Sequence, residues 1–355
     1  MRVTALKLGS LFDGIGVFPL AAVHCGIEPV WASEIEARPI SITKRHFPDM
    51  LHLGDITKIS GAEIPPVDVI TFGSPCQDLS QIGTRNGFAG KKSSLFYQAM
   101  RIIEEMRYAT NGRYPAFCIW ENVAGAFSSN DRLDFAAMLS AFTGAEVSVP
   151  PRGWAHAGMV RGGRADTAWR LLDAQYWGEP ALAQRRKRVF VVADFAGQRA
   201  GEVLFKPRTV LPFSTISGPG GLSATQRGGV PAAQTGRQVP IVRPFSLRRM
   251  RTMAQVGDQK GFCASFGRGG EPFPTLLASV TAPFSFWYES EERDGFLRVL
   301  TPLECERLMG LPENWTKYGC KNEEISDHAR YRALGNSIAL PCAEYVMAGI
   351  AEVMN

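Results

Sequence analysis

The stretch Val67-Asp68-Val69-Ile70-Thr71-Phe72-Gly73-Ser74-Pro75-Cys76-Gln77 joins a short apolar run to a cysteine. The run reads as a buried strand. Pro75 removes a ladder donor and ends it, so Cys76 falls just past the strand among small residues, where a nucleophile would be held. A second apolar run, Ala116-Phe117-Cys118-Ile119-Trp120, leads into Glu121-Asn122-Val123. If the two strands are neighbours in one parallel sheet, a thiol and a carboxylate emerge side by side. Their edge is the one where open α/β sheets bind ligands.

Outward from this pair, residues 1–195 alternate strand-like runs (6–11, 29–33, 67–72, 116–120, 167–172 and 188–193) with helix-like segments (18–25, 36–46, 93–108 and 131–142). The alternation predicts an α/β fold, a doubly wound Rossmann-like domain with a mostly parallel sheet. After Phe195 the texture changes. Residues 217–236 are rich in Gly, Ser, Thr, Gln and Pro, carry no acid and read as loop. Short strands are expected near 240–242 and 275–277. Residues 196–296 are therefore expected to form a smaller, loop-rich second domain. Thr301-Pro302-Leu303-Glu304 supplies an N-cap, a proline at the first helical position and an acid in the first turn. Residues 337–354 read as a closing helix, so 297–355 is expected to complete the first domain.

With 355 residues, 45% of them hydrophobic, the chain has ample material for a core. Its 21% charged residues and 36 glycines argue against a coiled coil and against wholesale disorder. No apolar stretch approaches the roughly 20 residues of a membrane helix, and Lys7 interrupts the N-terminal run, against a signal peptide. Seven cysteines, never spaced Cys-x-x-Cys, disfavour a disulfide framework or a zinc site and fit a reducing cytoplasm. Charge is lopsided. Between Arg152 and Thr275 there are 19 Lys and Arg against 7 Asp and Glu, whereas the rest of the chain has 20 against 27. Such a block suits a polyanion, although a solvated basic face has the same composition.

The first strand runs into Phe12-Asp13-Gly14-Ile15-Gly16. Glycines at a strand-to-helix turn let the backbone approach a ligand. A third glycine is missing, which suits a nucleoside better than a pyrophosphate. Glu34 ends the second strand, where an acid binds ribose hydroxyls. Asp55, in Gly54-Asp55-Ile56, is placed to bind an adenine amino group. Each signal alone is ordinary: a tight turn, a solvated acid. All three in order on successive strands point to an adenosine-containing cofactor.

Cys76 has a bland reading as an inert core thiol, and Glu121 one as a surface acid. A third element raises both. Gln184-Arg185-Arg186-Lys187-Arg188 leads into the strand at 189–193 and can aim one guanidinium into the sheet-edge cleft. A nucleophilic sulfur, a carboxyl that holds a ring nitrogen and an arginine that holds a ring carbonyl match the edge of a cytosine.

Over nearly its whole length the chain resembles the DNA cytosine-5 methyltransferase family. The resemblance rests on the ordered series Phe12-x-Gly14-x-Gly16, Glu34, Gly54-Asp55-Ile56, Gly73-Ser74-Pro75-Cys76-Gln77, Glu121-Asn122-Val123, Gln184-x-Arg186-x-Arg188, Arg298-x-x-Thr301-Pro302-x-Glu304-x-x-Arg307-x-x-Gly310 and Gly335-Asn336-Ser337. It implies S-adenosylmethionine as methyl donor, held by Phe12, Gly14, Gly16, Glu34, Asp55, Ile56, Pro75, Leu95, Asn336 and Ser337, with no metal. It implies Cys76, Glu121, Arg186 and Arg188 as catalytic residues on a flipped-out cytosine. Gln77, Ser80 and Asn122 are implied substrate contacts, with Arg248, Arg249 and Arg251 in the basic segment. That segment, 196–296, takes the place of the family's target recognition domain. The loop at 77–94, with Gly83, Gly87, Gly90 and Lys91-Lys92, is expected to close over DNA. Val17, Lys92 and Ala183 depart from the family pattern without removing a group the chemistry needs. The implied partners are double-stranded DNA and a separately acting restriction endonuclease, with the enzyme itself a monomer. Rival expectations are tRNA cytosine methylation, an idle DNA-binding protein of the same fold, and an NAD-dependent dehydrogenase.

Overall fold

The structure, a computed structural model, describes residues 5–74, 95–206, 241–244, 273, 275–276, 285–290 and 293–354. One sheet contains β1 (Lys7–Leu11), β2 (Glu28–Ser33), β3 (Leu51–His52), β4 (Val69–Phe72), β5 (Phe117–Val123), β6 (Ala157–Arg161), β7 (Asp166–Asp173) and β8 (Lys187–Asp194), in the order β3-β2-β1-β4-β5-β8-β7-β6. The first five strands in that order are parallel. β4 and β5 are direct neighbours, with Val69 opposite Phe117 and Phe72 opposite Trp120.

The sheet is mostly parallel, as expected, and its other three strands are antiparallel. β8 runs antiparallel to β5 and β7, and β6 antiparallel to β7. The cause is the connections. A parallel pair needs a long crossover, but only residues 162–165 join β6 to β7, and no α-helix lies between β7 and β8.

Helices α1 (Val17–His24), α2 (Ala37–His46), α3 (Leu95–Ala109), α4 (Leu133–Thr143), α5 (Ala200–Leu204), α6 (Pro302–Leu308), α7 (Asp327–Asn336) and α8 (Leu340–Met354) complete the body. The central strands are apolar on both faces, as a covered sheet requires. Phe117, Ile119, Phe190 and Val192 pack toward α1 and the C-terminal helices, whereas Cys118, Trp120, Val189 and Val191 pack toward α3 and α4. Each buried Phe of this double core, such as Phe72, Phe96 or Phe142, contributes roughly 1.5–3 kcal/mol. The composition boundary at 195/196 falls inside the body. Ala200, Val203 and Leu204 of α5 are buried in the first core, as are Phe273 and Leu276.

A second, antiparallel sheet joins β9 (Ile241–Pro244), β10 (Ser285–Ser290) and β11 (Arg293–Val299) in the order β11-β10-β9. Phe273 forms an isolated bridge with Gln184 rather than a strand. Thr301 and Glu304 then form a full capping box that starts α6, with Pro302 in its first turn. Among the described residues, no single helix is long and apolar enough to cross a membrane.

Candidate active site

β4 delivers the chain to Gly73 and Ser74 at the edge beyond the strand ends. Two side chains of β5 fix Ser74 there. The Trp120 indole N–H donates to Ser74 Oγ at 3.2 Å, and the Asn122 amide donates to the Ser74 carbonyl at 3.0 Å. Asn122 Oδ1 accepts from the Val123 N–H at 2.8 Å. In this structure the Asn122 amide holds the backbone that leads, in sequence, to Cys76. Pro75, Cys76, Gln77, Ser80 and the whole 77–94 loop lie outside the described residues, as do Arg248, Arg249 and Arg251.

Glu121 points to the opposite face of β5 from Trp120 and Asn122, as strand alternation demands. Arg188 Nε lies 2.9 Å from Glu121 Oε1, and both side chains are nearly buried. The contact is an ion pair, with Arg188 the one described side chain paired to this carboxylate. Burial pushes the Glu121 carboxyl up, and the positive charges of Arg188 and Arg186 pull it back only in part. A half-compensated acid with open acceptor capacity, at a sheet edge, is suited to holding a polar ligand edge.

Gly73 explains itself here. A Cβ added to it would lie 3.1 Å from Glu121 Oε2. Gly73→Ala should push the carboxylate aside by a few tenths of an ångström and lower kcat about tenfold, with cofactor affinity unchanged. Steady-state kinetics beside calorimetric titration of the cofactor product would check it.

Arg186 does not stand beside Arg188 as a second cation of the cleft. Its side chain is buried, and its guanidinium donates to the carbonyls of Leu276 (2.9 Å), Gly335 (2.9 Å) and Ser337. Its backbone N–H donates to Asp173 Oδ1 at 3.0 Å. In this structure the Arg186 guanidinium holds backbone.

The other half of the edge is built from β1 to β3. Phe12 sits at φ +55°, an uncommon conformation for a bulky residue, and turns the chain from β1 into the glycine loop. The Gly14 N–H donates to Glu34 Oε2 at 2.9 Å, and Glu34 Oε1 accepts from the N–H groups of Ile35 and Glu36 at 2.7 and 3.0 Å. Gly16, at φ +77°, caps α1. A side chain there would press on Thr43 and Phe47 at 3.2 Å. The Trp315 indole N–H donates to the Ile15 carbonyl at 2.8 Å and so props the loop from behind. Asp55 is half-buried and accepts from the Thr57 N–H and hydroxyl, both at 2.9 Å; those bonds hold its pKa down. Ile56 is buried beneath it. Leu95 is half-buried at the start of α3, Asn336 is exposed at the end of α7, and Ser337 follows half-buried.

These groups suit a nucleoside. Of the roughly four acceptor sites on the Glu34 carboxylate, three are filled by backbone and one stays open for a hydroxyl. Asp55 is an ionised acceptor for an amino group. The Gly14 N–H, which a diphosphate would need, is already taken by Glu34.

Two residues of this edge escaped the sequence reading. Ile35, 72% exposed, offers an apolar face beside Glu34; its signal was an isoleucine immediately after a strand-end acid. Asp13 carries a carboxyl whose pKa burial lifts to about 7, with Glu34 pushing the same way. Its signal was an acid immediately before the loop's first glycine.

The family model for C-5 cytosine-specific DNA methylases matches residues 6–207 and 248–352. Among curated relatives, the type II methyltransferase M1.ScrFI of Lactococcus lactis subsp. cremoris is 25% identical over 356 residues, covering 99% of this chain and 80% of the relative. A protein of Escherichia phage P1 named DNA N-6-adenine-methyltransferase is 24% identical over 462 residues; the match takes in 96% of this chain and spans 60% of the phage protein's length. The crystal structure of the S. pombe Dnmt2 methyltransferase superposes with a TM-score of 0.61 at 16% identity, covering 99% of this chain and 100% of that one. That likeness is one of fold.

Proposed function

The chain belongs to the C-5 cytosine-specific DNA methylase family, and from that premise we propose that it methylates C5 of cytosine within a specific sequence of double-stranded DNA. The observation that carries the reading is the buried Glu121–Arg188 pair one strand away from Ser74, the residue that leads into Pro75-Cys76.

Cytosine C5 is a poor nucleophile. In the proposed reaction the Cys76 thiolate attacks C6 and forms a carbon–sulfur bond, and the ring's electrons move to C5. Arg188 bonds the O2 carbonyl, and Glu121 holds N3 and the exocyclic amine, giving a proton toward N3 as charge builds. When bound, S-adenosylmethionine supplies an electrophilic methyl group at its sulfonium. Glu34 holds its ribose, Asp55 the adenine amino group, Ile35 an adenine face and Asn336 the methionine end. With the methyl group moved from sulfur to C5, a base takes the C5 proton, and the electron pair expels the Cys76 thiolate. C6 is out of reach inside a stacked duplex, so the base is flipped out, at a cost of a few kcal/mol offset by contacts to it.

The phage relative's name brings a second substrate into view, since adenine N6 has its own lone pair and needs no thiol to activate it. Mass spectrometry of nucleosides from DNA treated with the enzyme separates the two. 5-Methylcytosine is expected, and N6-methyladenine would overturn the reading. Parallel assays on duplex DNA and tRNA decide the nucleic acid.

The basic block at 152–275 is proposed to contact phosphates, with Arg248, Arg249 and Arg251 among them. With about six such contacts, affinity should fall about 10³-fold between 50 and 200 mM salt. Fluorescence anisotropy of a labelled duplex would check this, and a flat response would mean that the block is idle.

A further inference from the structure

Arg186 is one of the largest fully buried side chains of the protein, and the proposed chemistry gives it no contact with the reacting base. Its partners come from two places far apart in sequence. Nη1 donates to Leu276 O at 2.9 Å. Nη2 donates to Gly335 O at 2.9 Å and to Ser337 O. Those two carbonyls flank Asn336, the exposed residue proposed to touch the cofactor.

Leu276 belongs to a short segment stitched onto the chain before β8. Phe273 N–H donates to Ala183 O and Arg185 N–H to Phe273 O, each at 2.7 Å. The Thr275 hydroxyl donates to Arg185 O at 2.7 Å, and Leu276 N–H reaches Gln184 Oε1 at 3.4 Å. This segment lies in the basic, loop-rich region proposed to read DNA. A single planar fork is thus the common donor for the DNA-side segment and the cofactor-side turn.

The arrangement is an expensive way to hold a fold. Among the described residues nothing accepts from Arg186 Nε. Buried ion sites are often replaced by apolar residues without loss of stability. A rigid fork serves better where two backbones must be held in register, because a lysine's three donors radiate from one flexible nitrogen and fix no plane.

We infer that Arg186 is a positioning residue that couples DNA engagement at the Leu276 segment to cofactor binding at the 335–337 turn. The inference rests on the proposed function. DNA contact that shifts the Leu276 carbonyl changes the restraint on the Arg186 fork, and the fork passes the change to Gly335 and Ser337. Linkage then requires that cofactor and DNA alter each other's affinity by the same factor.

The test is a set of calorimetric titrations with S-adenosylhomocysteine, without DNA and with a duplex carrying the site found by sequencing wild-type reaction products. For the wild type, DNA should change S-adenosylhomocysteine affinity at least about fivefold. Arg186→Lys keeps the charge and should bring the ratio to within about twofold of one. Thr275→Val removes one tie of the segment at a half-buried position, without touching Arg186, and should reduce the ratio at least twofold; it serves if the lysine variant does not fold. A wild-type ratio of one, or a full ratio in either folded variant, overturns the coupling. Titrations of each ligand alone keep the failures apart. If the wild type binds neither ligand, the proposed function fails and the coupling with it. If both bind and the ratio survives substitution, only the coupling fails.

Discussion

Cys76→Ser is expected to abolish methyl transfer, lowering kcat at least about 10³-fold, or ~4 kcal/mol of transition-state stabilisation, while S-adenosylhomocysteine affinity stays within about twofold. The argument is chemical. The thiolate is the reactive form, and a free thiol near pKa 8.5 ionises far more readily than a serine hydroxyl. Without a bond to C6, no electron density reaches C5, and nothing else proposed at this edge supplies it. Cofactor affinity should hold because the groups offered to it, Glu34, Asp55 and Ile35, stand on the chain just after β2 and β3, across β1 and β4 from the Glu121 strand. A duplex with 5-fluorocytosine in place of the target makes the same point by trapping. Fluorine replaces the departing proton, so the carbon–sulfur bond cannot be released. Mass spectrometry should find the adduct on the Cys76 peptide of the wild type and none in the serine variant. Substantial turnover by the variant, or no adduct in a wild type that binds cofactor and DNA, would exclude a covalent route.

What the sequence made legible follows from what local patterns encode. The runs at 67–72 and 116–120 are apolar on both faces, and strands buried on both faces belong in the middle of a covered sheet; β4 and β5 are neighbours there. The capping box at Thr301 was readable because its partners lie within one turn. Strand direction was not. A doubly covered strand reads alike whether parallel or antiparallel, so β8 gave no sign that it runs against β5. The two arginines could not be told apart for a different reason. Arg186 and Arg188 are two residues apart and share a face by alternation. What consumes Arg186 is a turn about 150 residues on, at Gly335 and Ser337, which no local pattern announces. Adjacent strand residues point to opposite faces, so Glu121 and Asn122 lie on different sides of β5, and the Asn122 amide meets Ser74.

Glu121→Gln is expected to lower kcat by about 10²–10⁴-fold, the usual worth of a positioned proton donor, and to change how the enzyme responds to pH. Burial lifts the Glu121 carboxyl, and Arg188 and Arg186 offset only part of that. A lifted carboxyl keeps its proton further toward neutrality, where it serves a ring nitrogen whose basicity grows as the thiolate adds. Wild-type kcat should therefore fall as pH rises through the lifted value, and the glutamine variant, with no proton to lose, should lack that limb. Stability carries the same signature independently of catalysis. Below the ordinary carboxylate range both folded and unfolded chains are protonated at this position, and the favourable contribution is fully present. As pH rises the unfolded chain loses its proton first, so the wild type loses stability relative to the glutamine variant until pH passes the folded value. Melting temperatures of the two proteins from about pH 4 to about pH 8 should drift apart in the variant's favour. The opposite slope would mean that the Arg188 ion pair outweighs burial and that Glu121 works as a carboxylate acceptor rather than as a proton donor.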